Sequence, residues 1–72
     1  MAKLNKAQRE DLAYLINGLM VANDMRRHAL VKEDLESFDI WQARLDRNTL
    51  EIFETYGIEL PGISYIKQRS AA

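Results

Sequence analysis

Only one glycine and no proline interrupt the first 56 residues of this chain. Gly18 stands alone until Gly57, and the single proline is Pro61. Ala, Leu, Glu, Lys, Arg and Gln dominate the stretch between, and all are good helix formers. No strand-like alternation of any length is present. With 72 residues there is room for one domain. The expectation is an all-α fold over residues 1–72. It has two long amphipathic helices and a short C-terminal helix, arranged as a helical hairpin or small bundle that dimerisation could complete.

The start of the first helix is marked. Asn5 is a favoured N-cap, Gln8 sits three residues on as in a capping box, and Leu4 is placed for a hydrophobic staple. At about 100° per residue, Leu12, Leu15, Ile16 and Leu19 fall on one stripe, which Leu30 rejoins. Asn23 and Arg26 fall in the middle of that stripe. Either the helix breaks there, with Asp24 capping a new one, or it continues as one long helix. In the second case the polar pair sits at an interface, setting register or awaiting a partner. The spacing favours continuity.

A second helix is predicted from Glu33 or Asp34. Leu35, Phe38, Leu45, Ile52 and Tyr56 recur at three-, four- and seven-residue spacing, flanked by Trp41, Thr49 and Phe53. Gly57 suits the helix C-terminus, and Pro61 prevents simple continuation. A short third helix is expected over Pro61–Gln68, with residues 70–72 frayed. The connection from Met25 to Asp34 holds no Gly or Pro, so it reads equally as a turn, a bend or a straight continuation.

Chemistry is sparse. There is no cysteine, hence no disulfide and no thiolate metal site, and the single histidine excludes a site needing two imidazoles. No phosphate-binding glycine loop or nucleophile elbow occurs. The carboxylates of Glu33, Asp34, Glu36 and Asp39 read as a solvated helix start. His28 has only Asp24 within a helical turn to orient it. The expectation is a non-enzymatic protein without cofactor, metal or small-molecule substrate. No apolar run approaches the roughly 18 residues of a membrane span. The N-terminus turns polar too early for a signal peptide. A cytoplasmic setting is expected.

Residues Leu50 to Lys67 resemble the helix-turn-helix pattern. Gly57 stands at the turn with Ile58 directly after it, and Ile63 and Ile66 follow at the spacing of a recognition helix, with Ser64 after Ile63. The resemblance covers about a quarter of the chain. It implies a DNA-binding transcriptional regulator in which Ser64, Lys67 and Arg69 meet the nucleic acid. Phe53 stands where the pattern has a small residue. The same residues also read as a helix end, a turn and a short packing helix. Ten Lys and Arg against eleven Asp and Glu leave a net charge of −1, which offers phosphates no long-range attraction.

Ile40 and Leu50 lie off the main stripe of the second helix, so its apolar residues wrap more than one side. A two-helix hairpin cannot cover them all, which suggests a third helix, a second chain or a foreign partner. The leading expectation is therefore a protein-binding module: an adaptor, inhibitor or regulator of a larger complex, in the style of phage or mobile-element accessory proteins. It would act as a homodimer joined through helix two, or as a monomer docking on another protein. Arg26, Arg27, Ile40 and Trp41 are the expected contacts, because basic and aromatic side chains carry much of interface energy.

Overall fold

The computed structural model describes residues 3–71. It is all-helical among the described residues: α1 spans Lys6–Val31, α2 Leu35–Tyr56 and α3 Ile63–Ala71. Helices α1 and α2 form an antiparallel hairpin, and α3 packs on α2 without reaching α1.

The first cap is the expected one. The Asn5 side chain accepts from the Gln8 N–H at 2.8 Å, and the Asn5 N–H donates to Gln8 Oε1 at 3.0 Å. The staple lacks its second half, because the fourth helical residue is Arg9. Helix α1 runs unbroken through Asn23 and Asp24.

The turn between α1 and α2 takes three residues and uses no glycine. Glu33 adopts the left-handed conformation, with φ 58°. Its N–H donates to the Leu30 carbonyl at 3.1 Å, and the Asp34 N–H to that of Ala29 at 2.9 Å. This is the Schellman pattern, which satisfies carbonyls at the helix end. Asp34 then caps α2, its carboxylate accepting from the Ser37 N–H at 3.1 Å and the Ser37 hydroxyl at 2.7 Å. These two bonds hold the Asp34 carboxyl below its ordinary value of 3.8. The cap therefore contributes fully above that value and is lost as pH falls through the lower folded value. A side chain in the left-handed region costs about 1–2 kcal/mol relative to glycine. Glu33→Gly relieves that strain but loosens the unfolded chain, and a net gain of about 0.5–1 kcal/mol is expected in urea denaturation.

Gly57 ends α2 in the left-handed conformation, at φ 70° and ψ 17°, and its N–H donates to the Phe53 carbonyl at 2.8 Å. Helix α3 begins at Ile63, two residues later than the sequence suggests. Gly62 has φ 86°, which a right-handed helix cannot include. Helix α3 includes the backbone of Ser70 and Ala71, and Ala72 lies outside the described residues.

The hairpin seam alternates spacings of three and four. On α1 it is Leu12, Leu15, Leu19, Ala22, Arg26 and Ala29; on α2 it is Phe38, Gln42, Leu45, Thr49, Ile52 and Tyr56. A 3.5-residue repeat of this kind is the signature of coiled-coil packing. Leu15, Ala22, Ala29 and Ile52 are buried, and Thr49 satisfies its hydroxyl by donating to the Leu45 carbonyl. The seam departs from the leucine stripe read in the sequence. Ile16, Leu30 and Leu35 are exposed, while Ala22 and Ala29 take the inner positions. Small residues there let the two backbones approach closely.

One polar layer crosses this seam. Arg26 donates through Nη1 to Gln42 Oε1 at 2.7 Å and through Nη2 to Asn23 Oδ1 at 2.9 Å. Its guanidinium also lies 5.8 Å from the Phe38 ring centre. Gln42 donates onward to Asp46 Oδ1 at 2.9 Å, and Asp46 Oδ2 receives Arg69 of α3 at 2.7 Å. The chain Asn23–Arg26–Gln42–Asp46–Arg69 thus joins all three helices.

At the open end of the hairpin the Tyr56 hydroxyl donates to Asp11 Oδ2. That bond and the nearby carboxylate raise the phenol from 10.0 to about 12. A raised folded value means that this contribution is complete below pH 10.0 and is lost as pH rises toward about 12. Absorbance titration of the phenolates should show a step near pH 12 in the native chain that Tyr56→Phe removes. Loss from the variant of a phenolate that titrates near 10.0 instead would remove the Tyr56–Asp11 bond from the solution structure.

Candidate protein-binding surface

Excess apolar surface is present on α2, where the sequence points to it, and to a larger extent on α1. Leu50 of α2 is half-buried, which leaves Leu35 and Ile40 as the exposed large apolar residues of that helix. Helix α1 carries the larger share: Tyr14, Ile16, Met20, Val21, Met25, Leu30 and Val31. Val31 is 83% exposed, Tyr14 76% and Met20 62%, values of side chains with no internal role in packing. The reason lies in the layering. Helix α1 meets only α2, and the molecule is 15 Å through its thinnest Cα dimension, so nothing covers the outer flanks of α1. At about 100° per residue Tyr14, Val21 and Met25 share the flank beside the groove, and Ile16, Met20 and Leu30 the opposite one. Exposed apolar patches of this kind commonly mark interaction sites.

One part of this surface is concave. An open groove of about 450 Å³ runs between α1 and α2. Tyr14, Gly18 and Val21 line it from α1, and Trp41, Arg44 and Asn48 from α2. Gly18 lets the Asn48 carboxamide close against the α1 backbone, where a Cβ would collide with it. The Arg44 guanidinium lies over the Trp41 ring at 4.9 Å, a cation–π contact that holds both side chains in place. Arg47 completes the basic edge.

The residues singled out from the sequence separate into distinct settings. Trp41 lines the groove, half-buried. Ile40 beside it is 50% exposed. Arg27 is exposed and borders a shallow depression with Asp24, His28 and Val31. Arg26 faces inward, its guanidinium engaged by Asn23 and Gln42, so it sets the seam's polar layer and does not share the outer face. Tyr14, Val21, Met25 and Arg44 are further surface residues, which the sequence pattern does not single out. Only the register between the helices shows which side of each stripe stays open.

The helix-turn-helix residues are also placed. Ile63 and Ile66 are buried, anchoring α3. Ser64 is exposed. Lys67 sets its ammonium 3.6 Å from the Phe53 ring centre, and Arg69 pairs with Asp46. Both basic side chains therefore turn toward α2. Phe53, the bulky residue in the pattern's small position, becomes the platform for Lys67.

Among the described residues no cluster of three or more His, Cys, Asp or Glu side chains is disposed to hold a metal ion, and no helix is long and apolar enough to cross a membrane. Comparison with protein-family models, curated proteins and solved structures finds no match to this chain.

Proposed function

We propose that this protein is a non-enzymatic binding module that presents α1 and the adjoining groove to another protein. The observation that carries this reading is the uncovered apolar surface of α1, with Val21 and Met25 exposed on the groove side and Met20 and Val31 farther round the helix. Burial of apolar area is the main favourable term in protein association, at about 25 cal/mol per Å². The hairpin supplies rigidity, so little ordering cost opposes docking.

The test is capture from host-cell extract by the tagged chain, with a matched control. Met20→Glu/Met25→Glu should melt as the native chain does, since both positions face outward, and should lose the captured protein. Equal capture by both would take binding away from this face. A second copy is the alternative occupant. The proposal expects light scattering to give the 8.4 kDa mass of one chain; a doubled mass would assign the apolar face to a homodimer.

A further inference from the structure

Resting on the binding-module reading, we infer that the groove between α1 and α2 receives an acidic amphipathic segment of the partner protein. Arg44 and Arg47 clamp its carboxylates, while its apolar side chains lie against Tyr14, Val21 and Trp41.

The argument is one of charge and shape. No Asp or Glu lines the groove, whereas two arginines do. Neither arginine has an ion-pair partner among the described residues, where the recorded ion pair is Arg69–Asp46. Unpaired guanidinium groups beside apolar walls suit carboxylates, which accept two parallel N–H bonds from one arginine. The cation–π contact with Trp41 biases Arg44 toward the groove before the ligand arrives, so less rotamer freedom is lost on binding. The walls ask for apolar side chains at helical spacing, in the manner of helix-in-groove recognition.

Other occupants fit less well. A two-fold contact sets the same patch on both copies. Groove against groove would therefore bring arginines together with no carboxylate in the lining to relieve them. Nucleic acid requires a basic field, and the chain's net charge is −1.

Trp41 is the only tryptophan, so its emission reports the groove alone. The probes are two synthetic helical peptides without aromatic residues. One carries Leu at helical spacing among Glu, and the other has Lys in place of every Glu. The acidic peptide should shift Trp41 emission to the blue, saturably, and less so as salt rises. Arg44→Gln/Arg47→Gln, with helicity checked by circular dichroism, should weaken binding by about tenfold or more, the equivalent of one good charged contact. Arg44→Lys/Arg47→Lys should restore part of it. No shift, an equal response to the Lys peptide, or unchanged binding by the Gln variant would overturn the inference. So would a saturable shift with a DNA duplex in place of the acidic peptide, or one that follows protein concentration with a doubled mass. If extract capture survives Arg44→Gln/Arg47→Gln but not Met20→Glu/Met25→Glu, the groove inference fails and the binding-module reading stands.

Discussion

Ile52→Ala is expected to leave the protein mostly unfolded at room temperature. Ile52 is 1% exposed, in the α2 side of the seam, and it is the largest fully buried side chain among the described residues. Truncating a buried Ile to Ala removes transfer energy and leaves a cavity, together costing about 2–5 kcal/mol. A core in a domain of this size rarely supplies more than about 3–5 kcal/mol in total. The loss therefore matches the whole stability. Circular dichroism should show the helical signal collapsing, with recovery only in stabilising salt or osmolyte. Ile40→Ala, at a position 50% exposed, should stay within about 0.5 kcal/mol of the native chain. A cooperative native-like melt for Ile52→Ala would mean that the seam is not the core.

The second large effect centres on Arg26. Arg26→Ala leaves the Gln42 carbonyl and the Asn23 carbonyl without their donor inside a half-buried layer. An unsatisfied partner costs about 1–3 kcal/mol, and lost packing over Phe38 adds to it. Replacing both sides should act in the opposite direction. Arg26→Leu/Gln42→Leu removes the buried polar groups together, and such swaps are often neutral or stabilising. A single polar layer is also what pins the register of a heptad seam. The double variant is therefore expected to melt at or above the native temperature. Its amide spectrum should broaden or its mass distribution widen as alternative registers or oligomers appear. Sharp, single-state spectra from a more stable double variant would strip the layer of its register role. Gln42→Leu also frees Asp46 from one of its two bonds, so the hold on Arg69 and α3 should be read in the same spectra.

Much of the fold is legible in local residue chemistry. The Asn5–Gln8 box and Gly57 as a left-handed terminus each act within a few residues of themselves, so the sequence displays them, and it places the start of α2 to within a residue or two of the Asp34 cap. The interruption at Asn23 and Arg26 was also visible as an interface feature, and Arg26 reaches Gln42 as such a feature should. What stayed hidden depends on the register between two helices. Ala22 and Ala29 carry too little apolar weight to stand out in a hydrophobic stripe, yet they are buried in the seam. Leu30 carries more weight and faces out. Glu33 gave no sign of a turn, because its left-handed backbone is imposed by the Schellman bonds and the cap that follows. Ile40, off the main stripe of α2, is exposed as its position suggests, but the larger exposed apolar surface lies on α1. That difference follows from α3, which covers a flank of α2 and leaves α1 bare.

The claim that most needs testing is that the folded chain leaves α1's outer face open. Methyl-labelled methionine reads this directly, since Met20 and Met25 both sit on that helix and are 62% and 41% exposed. In the free protein a soluble paramagnetic agent should broaden both methyl signals strongly, and equally at low and high protein concentration. In complex with the captured partner the Met25 methyl, on the groove side of α1, should be the more strongly shielded. Methyls already protected in the free, monomeric chain would contradict the account, because the face offered to a partner would then be core.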